Sequence, residues 1–246
     1  MNGGKVNIGK ILLLLLIPVV LVSIYFLATK NSRNQAVTDV KVSISHQTEQ
    51  AMITEADVYK YLGHFGGKNY YIGKNSGDFD MSEMEKTLLS KPIIKKAVVY
   101  MGITGDLNIE IVQRNPILRI LPEGRKGYYL CDDRVKIPFS RHYTPDLIPA
   151  TGQMNDKVDR MLFSIVGFVN NNSFWKEQIE QFFVNENQEI SFIPTGGAHE
   201  VMLGDSTDLD EKFKKLEIFY SKGLNKIGWD RYQLINLKFK GQVICK

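Results

Sequence analysis

Lys91-Pro-Ile-Ile-Lys-Lys-Ala-Val-Val99 and, after a Gly105-Asp106 turn, Leu107-Asn-Ile-Glu-Ile-Val-Gln-Arg-Asn-Pro116 are the two stretches on which the fold turns. The first is rich in β-branched residues from Ile93 to Met101. In the second, Leu107, Ile109 and Ile111 alternate with Asn108 and Glu110, the period-two pattern of a half-buried strand. Lys91-Pro92 also marks where a helix must stop, because the residue before proline is pushed out of the α region. That helix starts at Asp80-Met-Ser-Glu83 and carries Met84, Leu88 and Leu89 at helical spacing. An earlier start, Thr54-Glu-Ala-Asp57, resembles a capping box. Val58, Tyr59 and Leu62 form its apolar face, and Gly63, Gly66 and Gly67 end it. Val40, Val42 and Ile44 alternate before it. The order is therefore β-α-α-β-β across residues 37–115.

A second block follows Pro116. Tyr128 to Leu130 reads as a short strand, Asp132-Asp133 as a turn, and Val135 to Phe139 as the return. Asp156 opens a helix with Val158, Leu162, Ile165 and Val169 on one face. Ile190 with Phe192, and Val201 with Leu203, suggest two more strands. Asp208-Leu-Asp-Glu211 reads as a capping box for a helix bearing Leu209, Phe213, Leu216 and Tyr220, with Gly223 as the residue that ends it. Ile235, Leu237, Phe239, Val243 and Cys245 share one parity and predict a single long closing strand.

Ahead of both blocks, residues 11–29 carry no charge, and fourteen of the nineteen are Leu, Ile, Val or Phe. As a helix this run is about 28 Å long, close to a bilayer's hydrocarbon thickness, and its apolar residues favour insertion by about 4–8 kcal/mol. A cleaved signal peptide is the rival reading. It requires a shorter apolar stretch and a small-x-small site, and Ala28-Thr29-Lys30 supplies none. A retained transmembrane helix over 11–29 is expected, with a short tail at 1–10 and a polar linker at 30–36. Lys5 and Lys10 before the run nearly balance Lys30 and Arg33 after it, so flanking charge does not set orientation. Export of the long following part is the commoner arrangement, and it leaves the N-terminus inside.

Composition narrows the function classes. The 246 residues are 43% hydrophobic and 24% charged, ordinary for a globular fold, and the net charge of +4 with no basic block gives no support to nucleic-acid binding. His46, His64, His142 and His199 are isolated, with no metal-type spacing, and His142 and His199 read as surface or loop residues. Asp132-Asp133 are adjacent, so a strand would point them to opposite faces; a turn suits them better. Gly66-Gly67-Lys68 lacks the rest of a phosphate loop, and no Gly-x-Ser-x-Gly occurs. Phe174-Trp175 and Trp229 read as core or turn anchors. Cys131 and Cys245 are the two cysteines; an exported domain would allow them to pair, but two buried thiols are the simpler reading. No catalytic, cofactor or metal site is expected.

Taken in order, these segments resemble the bacterial cell-division family FtsQ/DivIB. Val37-Thr-Asp-Val-Lys-Val looks like the family's first strand, and the two opening stretches like its strand pair ending in Arg-x-Pro. Tyr129-Leu-Cys-Asp-Asp-Arg-Val-Lys-Ile-Pro138, Ile148-Pro-Ala-Thr-Gly152 and Ile235-Asn-Leu-Lys-Phe239 are similar to three later motifs. Gln113 stands where the family has an acidic residue, Asn236 where it has Asp, and the tyrosine motif lacks its Gly, departures that suit a divergent, Bacteroidota-like branch. The resemblance implies an α+β protein: a single N-terminal transmembrane helix, a POTRA-type β-α-α-β-β domain at 37–115, then a mixed antiparallel β domain with two helices at 116–246. It further implies a non-enzymatic scaffold of the division septum in the inner membrane. Such a scaffold binds FtsB/DivIC-like and FtsL-like partners and regulates septal peptidoglycan synthesis. An alternative is a POTRA-containing component of protein export or outer-membrane biogenesis. That class repeats the module or continues into a membrane barrel, which this sequence does not suggest.

The partner site is expected on the last strand, Leu234 to Val243. Its polar set, Asn236, Lys238, Lys240 and Gln242, would face water or a partner; Ile235, Leu237, Phe239 and Val243 would face the core. A strand that closes a chain often lies at a sheet edge, where unpaired backbone groups accept an added strand. Ile235, Asn236, Lys238, Phe239, Lys240, Gly241 and Gln242 are thus the expected contact residues, with Phe239 and Gly241 at closest approach.

Overall fold

The computed structural model describes residues 16–20, 22–23 and 35–246. The expected membrane helix at 11–29 and the tail at 1–10 fall largely outside them; Leu16 to Val20 and Val22 to Ser23 are helical. Among the described residues no helix is long and apolar enough to cross a membrane.

The chain divides into two units. In the first, strand β1 (Asp39–Ser45) is followed by helices α1 (Glu55–Tyr61) and α2 (Met81–Leu89) and by strands β2 (Ile94–Met101) and β3 (Asp106–Gln113). The sheet order is β1-β3-β2. β1 runs parallel to β3, with Val40 opposite Leu107 and Ile44 opposite Ile111. Leu107 and Ile109 are fully buried, as are Val58 of α1 and Leu88 of α2. Both helix starts form as the sequence implies. Asp57 N donates to Thr54 Oγ1 at 3.3 Å while Thr54 N donates to Asp57 Oδ2 at 2.8 Å, and Glu83 N donates to Asp80 Oδ1 at 3.1 Å. Leu89 departs from its expected role: it is the last residue of α2 and is exposed.

The second unit is built on a nine-stranded sheet. Its strands are β4 (Pro116–Pro122), β5 (Tyr128–Cys131), β6 (Lys136–Pro138), β7 (Pro149–Gly152), β8 (Ile179–Val184), β9 (Ile190–Pro194), β10 (Glu200–Gly204), β11 (Leu234–Asn236) and β12 (Ile244–Cys245). Their order is β12-β11-β10-β9-β8-β7-β4-β5-β6. The sheet is mixed and mainly antiparallel: β4 with β7, β7 with β8, and β10 with β11 are its parallel pairs, the other five being antiparallel. Helix α3 (Asp156–Asn170) buries Val158, Leu162, Ile165, Val166 and Val169 in the core. The short α4 (Ser173–Lys176) adds Trp175, and α5 (Leu209–Phe219) adds Phe213 and Leu216. Trp175 and Phe213 meet edge to face at 4.9 Å between ring centroids. At about 25 cal/mol per Å² of apolar surface, aromatic burial of this kind dominates a core.

Four sequence-based expectations are corrected in this unit. Asp208 does not cap α5: its backbone is left-handed, at φ 50°, and no side-chain cap bond forms, whereas a cap residue needs extended backbone to aim its oxygen at the first amides. Gly223 does not end the helix. The chain passes through a widened turn at Tyr220–Leu224 and stops at Gly228, whose φ is 98°. That turn places both Tyr220 and Leu224 in the core. His199 is not a surface residue but fully buried, with Nε2 2.8 Å from the Tyr220 hydroxyl; burial lowers its pKa. The long final strand is two short ones, as described next. Cys131 is buried and Cys245 half-buried; both are free thiols, and burial pushes Cys131 up to about 12.

Candidate functional site

The last thirteen residues form a hairpin on the end of the nine-stranded sheet. β11 pairs on one side with β10 and on the other with β12, Ile235 opposite Cys245 and Asn236 opposite Ile244. Leu234 and Lys246 exchange both backbone bonds, Lys246 N to Leu234 O at 3.0 Å and Leu234 N to Lys246 O at 3.2 Å. Alternation along an antiparallel ladder then turns the amide and carbonyl of Cys245 to the outer side, where, among the described residues, the sheet order places no further strand. The open edge therefore belongs to β12, not to β11.

The turn between the strands breaks the expected run. Asn236 Oδ1 accepts from Lys238 N at 3.0 Å, an Asx-type bond that bends the chain, and Gly241 adopts φ 71°, a left-handed conformation that costs glycine little. Three charged clips hold this turn. Lys215 of α5 donates to Phe239 O at 2.7 Å, Gly241 N donates to Glu211 Oε1 at 3.1 Å, and Lys238 Nζ pairs with Glu189 at 2.7 Å. The Lys238 bond holds the Glu189 carboxyl below its ordinary range, and the Gly241 amide does the same for Glu211. Gly204, at φ 80°, lets Lys238 cross it: a Cβ there would stand 2.8 Å from the Lys238 stem. Beside the turn, Lys212 is buried and donates to the Asp205 carboxylate at 2.8 Å. With help from Thr207 it holds that carboxyl at about 2. Between these clips lies a cavity of about 610 Å³, lined by Lys157, Asp205, Lys212, Lys215, Leu237 and Lys238 among others.

The expected contact residues divide accordingly. Ile235 is fully buried and half-buried Asn236 bends the chain, so neither offers a contact face. Lys238, Phe239, Lys240, Gly241 and Gln242 are exposed on the turn, and Phe239 keeps 44% of its surface. Missed by the sequence reading were Ile244 and Cys245, which make the edge, and Glu189, Glu211 and Lys215, which brace the turn. A hairpin signal was present: two apolar runs, Leu234–Leu237 and Val243–Cys245, separated by a loop containing Gly241.

A small β-α-α-β-β unit followed by a mixed-sheet unit with an open C-terminal edge is the architecture of a POTRA-type protein; among the described residues no His, Cys, Asp and Glu grouping suits a metal ion. Residues 35–112 match the POTRA-like domain, and residues 115–246 match the family described as FtsQ/DivIB, C-terminal related. The chain belongs to the FtsQ/DivIB-related family of non-enzymatic cell-division scaffolds. No curated protein matches it closely enough to count as a relative.

Proposed function

We propose that this protein is a single-pass inner-membrane scaffold of the division septum that takes up a strand from an FtsB/DivIC-like partner on the outer side of β12, with an FtsL-like protein in the same assembly, and thereby regulates septal peptidoglycan synthesis. The observation that carries the partner site is the open edge of β12 beside a turn braced by three charged clips. Strand addition draws affinity from main-chain bonds and selectivity from neighbouring side chains, here Phe239, Lys240, Gln242 and Ile244. Bracing lowers the entropy lost when the partner docks. Residues 11–29 serve as the anchor, 1–10 as a cytoplasmic tail, 30–36 as linker, 37–115 as the POTRA domain and 116–246 as the β domain on the outer side.

Substitution Cys245→Pro removes the outward amide without touching the bonds to β11. Affinity for the FtsB/DivIC-like partner should fall about ten-fold while the thermal midpoint of the second unit stays near that of the parent. Full retention of the partner by a folded Cys245→Pro protein would refute the edge assignment. Protease added to spheroplasts tests the topology: residues beyond 30 should be digested, and complete protection would place them inside.

A further inference from the structure

We propose that the POTRA unit rests on the bilayer surface through one end of its fold, a lipid-facing tip made by the loop after α1 and the β2–β3 turn. This rests on the membrane-anchor reading above. The topology brings these segments together. β1 leaves this end, α1 returns to it, α2 leaves it, and β2 returns to it before β3 departs. The segment at residues 35–38 is held between the two: Val37 N donates to Lys74 O at 2.8 Å and Ser76 N to Gln35 O at 2.9 Å on one side, while Thr38 N donates to Gly105 O at 2.9 Å and Gln35 Nε2 to Ile103 O at 3.0 Å on the other.

This end gathers more exposed large apolar side chains than the opposite end, where Leu89 and Val112 are exposed. Ile103 at the β2–β3 turn is 101% exposed, Phe65 is 84%, Ile72 39% and Tyr70 38%. One exposed Ile needs no explanation, but four large apolar residues around one end of a small unit do. Tyr70 stacks on His64 at 3.8 Å between centroids and lies under the Lys74 ammonium at 3.4 Å, an arrangement that presents the ring flat and fixed rather than free.

The chain's own path selects the occupant. Residue 35 enters the fold at this end, and the apolar run stops at Thr29. Six residues of extended chain reach at most about 20 Å. The tip is therefore tethered within about the thickness of the headgroup layer plus one side chain's reach, and aliphatic and aromatic groups with Lys and Tyr at their margin are what that layer accepts. Lys68 and Lys74 at this end are nearly balanced by Asp39 and Asp78, so apolar insertion rather than charge attraction provides the contact, and zwitterionic lipid suffices.

The test uses the full chain in phosphatidylcholine nanodiscs, on a Cys245→Ser background that leaves only the buried Cys131. An environment-sensitive fluorophore is attached at Ile103→Cys or, separately, at Phe65→Cys, with Ser45→Cys as control. Ser45 ends β1, about 20 Å from its start at the usual strand rise. Labels at 103 and 65 should emit at shorter wavelength in discs and lose emission to chain-brominated lipid; the label at 45 should do neither. Two positions read the same contact, so a folding defect in one variant leaves the other decisive. A chain that stays with the discs while labels 103 and 65 remain unquenched overturns the docking proposal alone. A chain that does not stay with the discs overturns the anchor reading, and the docking proposal with it.

Discussion

The two edges of the nine-stranded sheet are finished in opposite ways. At one end, β6 is three residues long. The bond from Cys131 N to Val135 O, at 3.0 Å, sets the alternation that turns Pro138 outward, where it has no donor to offer. The same edge is locked by charge: Lys136 Nζ lies 2.6 Å from Asp159 and 2.7 Å from Asp156, and the Tyr128 hydroxyl donates to Asp159 at 2.7 Å. Asp159 is buried, and the pKa of Tyr128 is driven far upward, chiefly by its own burial. At the other end, β12 is shorter still, yet among the described residues no proline or buried ion blocks it; it shows the outward backbone of Cys245, with Ile244 between it and the braced turn. Shortness alone does not close an edge. What distinguishes the closed edge is a proline at an outward position, which leaves Lys136 the outward donor of β6, together with side chains committed to the unit's own interior.

Breaking the closed edge should give the largest effect. Lys136→Met leaves the buried Asp159 carboxylate with the Tyr128 hydroxyl and one fewer partner, which should cost about 1–3 kcal/mol in urea unfolding, since Lys136 is partly exposed. A loss within the error of an exposed control such as Glu186→Ala would show that the cluster contributes nothing. At the open edge the expectation is reversed. Cys245→Pro should weaken partner binding about ten-fold with little change in stability, and equal losses of both would erase the contrast between the edges.

Acid offers a finer comparison. Asp205, Glu189 and Glu211 around the turn all have depressed folded-state pKa values, caused first by Lys212, Lys238 and the Gly241 amide respectively. Each stabilisation is present above the ordinary carboxylate range and is lost as pH falls through the folded value, from about 4 down to about 2 for Asp205. Amide exchange in residues 237–242 should therefore accelerate across that window, before the α3 core opens. Simultaneous loss would mean the turn is not a separately braced element. The smallest effect belongs to Lys238→Ala. It breaks a partly exposed pair and should cost only about 0.2–1 kcal/mol, read as a small shift in the urea midpoint with the hairpin retained.

Local chemistry wrote the first unit plainly. Thr54 with Asp57, and Asp80, cap their helices through neighbours three residues away. The alternation of Leu107, Ile109 and Ile111 puts those side chains on one buried face whatever else the chain does. The α3 stripe of Val158, Leu162, Ile165 and Val169 is legible for the same reason: its period is fixed by the backbone. Strand β4 is harder to see because prolines bound it, although Leu118 and Ile120 alternate inside it, and β8 because Ile179, Phe182 and Val184 do not keep one parity.

The candidate site was only half legible. The parity from Ile235 through Cys245 reads as one strand, and the sequence alone placed Lys238, Phe239, Lys240, Gly241 and Gln242 near the partner surface. Whether that run stays straight is decided by groups far away in sequence: Glu189, Glu211 and Lys215 grip the turn, and the bare Cα of Gly204 makes room for Lys238. Likewise His199 is buried against groups distant in sequence, with the Tyr220 hydroxyl 2.8 Å from Nε2 and the Trp229 ring beside it. The sequence by itself determined which faces are apolar and where helices begin, because those depend on residues within a turn or two. Which strand is the edge, and which backbone groups it leaves open, depends on pairings between β10, β11 and β12 that no local pattern encodes, and only the tertiary structure decided it.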